Sequence, residues 1–240
     1  MTAPAEHAHR GIAATMTATD ALIKAVADLD DVAVRGPSLL PGWTRAHVIT
    51  HLARNADGLL NLLIWARTGV EHPMYTSRAD RDASIEEGSI RGYLVLVEDL
   101  SAACDRFERA AKEMPESAWS AGVITSRGAP VLASRVPWMR LCEVWVHLAD
   151  LDAGIGFDAI ADDAIEPLLD YVIGGFGGRP EVPRVTVDAT LPDGRRRSWQ
   201  LSGDGGPTAG GSGTDLLAWL TGRGDGAGLT GALPNLPPWG

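Results

Sequence analysis

Before residue 180, apolar residues recur at helical spacing in four long segments. Ile12, Met16, Ile23 and Val26 mark the first. Thr44, whose hydroxyl suits it to cap exposed N–H groups, stands ahead of a second run holding Val48, Ile49, Leu52, Ala56, Leu59, Leu60 and Leu63. The third contains Leu94, Val97, Leu100, Ala103, Cys104, Phe107 and Ala110 and stops before Pro115. The fourth opens on Pro137, placed where a first-turn proline is tolerated. Leu141, Val144, Trp145, Val146, Leu148 and Ala149 leave it little polar face, so it predicts a helix buried all round. A shorter helical pattern covers 162–173.

The period then changes. GGFGGRPEVP reads as a linker, because its glycines and prolines interrupt both helix and strand. Beyond it Val185, Val187, Ala189 and Leu191 alternate with Thr186, Asp188 and Thr190, and Pro-Asp-Gly at 192–194 turns the chain into 195–202. That pattern predicts a hairpin, followed by a helix over 214–221. The fold class is therefore α+β, with a helical bundle over 1–178 and a small α+β domain over 179–240.

With 240 residues, 45% of them hydrophobic, the chain can bury a full core. Its net charge of -10 argues against nucleic acid or an anionic membrane surface as partner, since no basic field collects phosphates. The N-terminal stretch has no apolar run of signal-peptide type, and no segment approaches the roughly 20 apolar residues of a membrane span. A cytoplasmic location is expected. Both cysteines, Cys104 and Cys142, lie within apolar helical patterns and are expected as reduced core thiols.

The candidate chemistry lies in the fourth segment. Glu143 and His147 are one helical turn apart and project from one face, as two ligands of a single metal must. An i, i+4 pair of this kind also occurs as a surface ion pair. The apolar flanks favour a metal, because a buried and unpaired glutamate is costly. A third ligand is available on the second helix from His51 or His47, one turn apart, although both can equally be core histidines with satisfied hydrogen bonds. His47, close to the helix start, is the better candidate for an exposed or capping role. The glycine-rich stretches at 174–178 and 203–213 lack a phosphate-binding frame and read as loops. Arg195, Arg196 and Arg197 read as a solvated strand and its turn, Trp65, Trp138 and Trp145 as core, and Trp43 as a staple before its helix.

LPGWTRAHVITHLARNADGLLNLLIWARTG, HPMYTS, PWMRLCEVWVHLADLDAG, the RGDG segment and the closing LPPW resemble the mycothiol-dependent maleylpyruvate isomerases. These belong to the DinB-like four-helix metalloenzyme superfamily. The resemblance implies a zinc-binding N-terminal bundle and a C-terminal α+β domain similar to sterol carrier proteins. It implies His51, Glu143 and His147 as the metal ligands, with His47 outside the set. Arg223 matches an arginine important for activity, and Arg81 falls where a relative also has arginine. The implied reaction is cis–trans isomerisation of maleylpyruvate to fumarylpyruvate in gentisate degradation, by thiolate addition, bond rotation and elimination. Its nucleophile is mycothiol, a low-molecular-weight thiol, and its substrate a small dicarboxylate. A monomer or weak dimer is expected. Two rival readings share these residues: a mycothiol S-transferase acting on electrophiles, and a noncatalytic, metal-stabilised binder of small ligands.

Overall fold

The computed structural model describes residues 3–239 and divides the chain into two compact units, Met1–Gly154 and Ile155–Gly240. In the first, α1 (Pro4–Ala27), α2 (Arg45–Thr68), α4 (Tyr93–Lys112) and α5 (Val136–Asp150) form a four-helix bundle in which α1 packs on α4 and α5, and so does α2. These are the four segments that the apolar spacing predicts. Thr44 is the N-cap of α2, and α5 carries its proline in the first turn. Around α5 only Glu143, His147 and Ala149 are even partly accessible, so the helix buried all round is present.

Two elements have no counterpart in the apolar pattern. Helix α3 (Arg78–Ser89) packs against α2, and a hairpin of β1 (Gly122–Ile124) and β2 (Pro130–Leu132) precedes α5. The stripe expected on α4 is also out of phase at its start. Leu94 is 70% exposed, and the buried row runs through Leu96, Leu100, Ala103, Cys104, Phe107 and Ala111.

The second unit holds α6 (Asp162–Gly174), β3 (Thr186–Thr190), β4 (Arg196–Gln200), β5 (Thr208–Ser212), α7 (Gly213–Leu220) and β6 (Thr230–Gly231). Its sheet has the order β4-β3-β5-β6, with β3 and β5 parallel and the outer pairs antiparallel. Val187 and Ala189 of β3 face the core, as their alternation predicts.

The division at Gly154 corrects the boundary expected at 178/179. Helix α6 packs on α7, and its acidic face is tied to β4: Arg195 and Arg197 bond Glu166, while Arg197 and the Trp199 Nε1 bond Asp170. The arginine run thus helps to dock a helix, beyond marking a solvated strand. The glycine-rich stretch is not a free linker either, for Phe176 and Val182 within it are buried. No described helix is long and apolar enough to cross a membrane.

Candidate metal centre

Helices α2 and α5 are tied end to end. The side chain of Arg45, in the first turn of α2, donates to the carbonyls of Leu151 (2.6 Å) and Asp152 (3.1 Å), just beyond the C-terminus of α5. Those carbonyls have no partner inside the helix, so the guanidinium satisfies them and fixes the register of the two helices. The Leu39 N–H adds a bond of 2.9 Å to the Asp150 carbonyl. This antiparallel clamp places His51, two turns into α2, opposite Glu143 and His147.

The three side chains converge. His51 Nε2 lies 3.1 Å from Glu143 Oε2 and 3.0 Å from His147 Nε2, and the last two atoms are 3.5 Å apart. Donors that share one small cation at about 2.0–2.2 Å sit roughly 3.3 Å from one another in a tetrahedral arrangement, so the set fits a divalent metal. Among the described residues this is the one cluster of three or more such groups able to hold an ion. The imidazole planes of His51 and His147 cross at 83° with centroids 4.5 Å apart. Trp43 covers His51 at 5.7 Å and stacks on His47 at 6.1 Å.

His47 stands outside the cluster in a capping box. Its Nδ1 accepts from the Thr44 N–H at 3.2 Å, while the Thr44 side chain accepts from the His47 N–H. Of the two histidines that the sequence offered, His51 lies against the pair on α5, and His47 caps its helix.

Behind His147 is a carboxylate that the sequence did not point out. Asp150 is fully buried, and its Oδ2 accepts from His147 Nδ1 at 2.8 Å. Such a bond fixes the tautomer that leaves the Nε2 lone pair free for a metal. The available signal was spacing, since Asp150 lies three residues after His147 and seven after Glu143, on the same helical face.

Behind His51 is an arginine. Arg81 Nη2 lies 3.1 Å from His51 Nδ1, Arg81 Nη1 bonds Asp82 Oδ1 at 2.7 Å, and the guanidinium sits 5.9 Å from the centroid of Tyr75. Gly58 of α2 makes room for that tyrosine: a Cβ there would lie 3.2 Å from the ring atoms Cε1 and Cζ. Tyr75 is thus a further site residue that the sequence reading did not single out. Arg223 belongs to the second unit, where its Nη1 donates to the Thr221 carbonyl at 2.6 Å.

Burial and charge set the protonation of the cluster in the absence of an ion. Burial, followed by the neighbouring His147 charge, pulls His51 down to about 4, so it is neutral. Burial opposes a charged His147, but its bonds to Asp150 and Glu143 win and raise it above the ordinary value. Burial likewise opposes ionisation of Glu143, and the hydrogen bonds from His147 and His51 outweigh it, holding the carboxyl well below the usual range. Tyr75 is pushed up, first by burial and then by the Glu143 charge, and keeps its proton. An ionised carboxylate and two imidazole nitrogens pointing at one spot are the chemistry of a metal site with room for an external ligand.

Fold and site together define a class of protein in which a helical bundle converges two histidines and a glutamate from two helices and a small α+β unit follows in sequence. The chain belongs to the mycothiol maleylpyruvate isomerase family, whose N-terminal domain model matches residues 15–152 and whose C-terminal domain model matches 159–238. Two solved structures are similar over the full length of both chains at 30% identity. One is a mycothiol-dependent maleylpyruvate isomerase, with a TM-score of 0.84. The other is a histidine-to-alanine mutant of a mycothiol-dependent maleylpyruvate isomerase, with a TM-score of 0.87. No curated protein is similar enough in sequence to count as a match.

Proposed function

We propose that this chain is a zinc- and mycothiol-dependent isomerase that converts maleylpyruvate to fumarylpyruvate. The observation that carries the reading is the convergence of His51, Glu143 and His147 within a chain similar along its whole length to an enzyme of that name. In this reading the N-terminal unit holds the metal through those three residues. When bound, the metal would supply positive charge that favours a thiolate over a thiol at neutral pH.

The residues of the chain account for the rest. Asp150 fixes His147 in its ligating tautomer, and Glu143 is ionised without needing a proton removed. Cys104 and Cys142 are buried, so neither is presented to a substrate, and the nucleophile comes from outside. The cis double bond of maleylpyruvate is conjugated with a carbonyl. Addition of the thiolate moves the π electrons onto the carbonyl oxygen as an enolate and leaves a single bond that rotates. Collapse of the enolate then expels the same thiolate and restores the double bond as trans. Arginine suits the two carboxylates and the transient enolate, since its planar guanidinium binds such oxygens in pairs. Arg81 and Arg223 are assigned that part.

The test is purified protein mixed with maleylpyruvate, with and without mycothiol, followed by absorbance. Conversion that needs the thiol but does not consume it is the expected result. Stoichiometric loss of thiol into an adduct would replace this reading with the S-transferase, and no turnover in zinc-loaded protein with thiol would leave the chain a binding protein.

A further inference from the structure

Two helical turns, roughly 10 Å of rise, separate His51 from Gly58, so the two share a face of α2. The segment 73–75 is laid across it. Asn61 Nδ2 donates to the carbonyls of Pro73 (3.2 Å) and Met74 (3.5 Å), and Gly58 admits both the Met74 carbonyl and the Tyr75 ring: a Cβ there would lie 3.1 Å from that oxygen and 3.2 Å from the ring atoms Cε1 and Cζ. Tyr75 is therefore held by its ring and by the backbone beside it, and its hydroxyl is not needed as an anchor. That hydroxyl meets Arg81, the arginine beside His51, in a hydrogen bond. A guanidinium has donors only, so the phenol oxygen accepts, and its own hydrogen is left for another acceptor. Accepting from a cation also makes the O–H a stronger donor, since hydrogen bonds in a chain polarise one another. Burial, followed by the Glu143 charge, nevertheless pushes the Tyr75 pKa up, so the hydrogen is present throughout the neutral range.

We infer that Tyr75 is a further catalytic residue: its hydroxyl donates to the ketone oxygen of the substrate as that oxygen takes up enolate charge. The inference rests on the isomerase reading. When the thiolate sulfur bonds to the alkene, the π pair moves onto the ketone oxygen, and when the enolate collapses the same sulfur leaves with its electron pair. Tyr75 gives up no proton in either step. It holds one hydrogen bond that strengthens as charge grows on the oxygen and weakens as the charge leaves. A single neutral donor suits a single oxygen whose charge is transient, whereas the two oxygens of a permanent carboxylate suit the paired donors of a guanidinium. The neighbours thus divide the work: Arg81 binds the substrate and Tyr75 stabilises what forms from it. Only an interaction that is stronger in the transition state raises kcat.

Tyr75→Phe isolates the hydroxyl, because it keeps the ring that Gly58 accommodates. The measurement is kcat and KM for maleylpyruvate at saturating mycothiol, in wild type and variant, together with the zinc content of both proteins. In the variant kcat should fall on the order of 10²–10³, while KM and zinc content stay near wild type. A wild-type kcat would overturn the inference. A raised KM with unchanged kcat would overturn it too, since the hydroxyl would then touch the substrate equally before and during reaction. Loss of zinc together with kcat would make the hydroxyl a brace of the metal centre and not a catalytic group. A different failure belongs to the underlying reading: zinc-loaded wild type that does not turn over with mycothiol removes the isomerase, and this inference with it.

Discussion

Replacing Asp150 by alanine should weaken zinc binding by about 10–100-fold, or about 1.4–2.7 kcal/mol, while leaving the bundle folded. The figure follows from what the residue touches. Asp150 is fully buried, its Oδ2 lies 2.8 Å from His147 Nδ1, and the two share a helical turn, so the change removes a charge-assisted bond without moving an element. Two effects then oppose each other. Loss of the carboxylate unfixes the tautomer and orientation of His147, which weakens the metal. It also lowers the His147 pKa, which lessens competition from protons and helps the metal at low pH. The net loss should therefore be largest near pH 8 and smaller near pH 6. Asp150→Asn retains an acceptor oxygen of similar size and should lose only about tenfold. The assay is competition with a chromophoric chelator at both pH values, alongside urea unfolding of the metal-free proteins. A zinc affinity in Asp150→Ala equal to wild type at pH 8 would show that the bond to His147 only stabilises the helix end.

The metal-free protein should be most stable near pH 6.5, the ordinary histidine value. His51 has its pKa lowered to about 4, so the unfolded chain binds more protons between pH 4 and 6.5 and stability rises with pH there. His147 has its pKa raised, so its contribution is complete below 6.5 and is lost as pH climbs through the raised value; urea midpoints of chelator-treated protein test both limbs. Zinc should reverse the upper limb, since it binds better as His147 loses its proton. His47→Ala should cost roughly 0.5–2 kcal/mol through loss of half the capping box, with zinc content unchanged; a loss of zinc would make it more than a cap. Cys104→Ser and Cys142→Ser should keep thiol-dependent turnover, and its abolition by either would point to an internal nucleophile. Arg223→Ala should retain zinc and lose on the order of 10² in kcat/KM, and a near-normal value would remove this arginine from the chemistry.

Four bundle helices were legible because each buries a continuous apolar row, and periodicity records little else. Helix α3 was not. Its sequence, RADRDASIEEGS, buries only Ile85, Gly88 and Ser89, and its close approach to α2 is made by a glycine: a Cβ at Gly88 would lie 2.3 Å from Thr50 Cγ2. Contact through a missing side chain leaves no hydrophobic signal. The unit boundary was misplaced for a related reason. Glycine and proline punctuate the chain at 174–183, but α6 belongs with the second unit through long-range contacts, its packing on α7 and its ion pairs with Arg195 and Arg197.

The site divides along the same line. Ligand types at helical spacing, Glu143 and His147, can be read from one segment, and the cap at Thr44 makes His47 a natural partner of its own helix start. Neither observation says what stands behind a ring. Asp150 near a helix C-terminus looks like any solvated acid, and only its complete burial against His147 turns it into a determinant of tautomer. Arg140, three residues before Glu143, was passed over in the same way. It is almost wholly buried and donates to the Leu52 carbonyl and Asn55 Oδ1, both at 2.8 Å, so its guanidinium is solvated by dipoles of α2. That leaves the Glu143 carboxylate to the two histidines. The ionisation of that carboxylate is accordingly held by the hydrogen bonds of His147 and His51, which outweigh its burial.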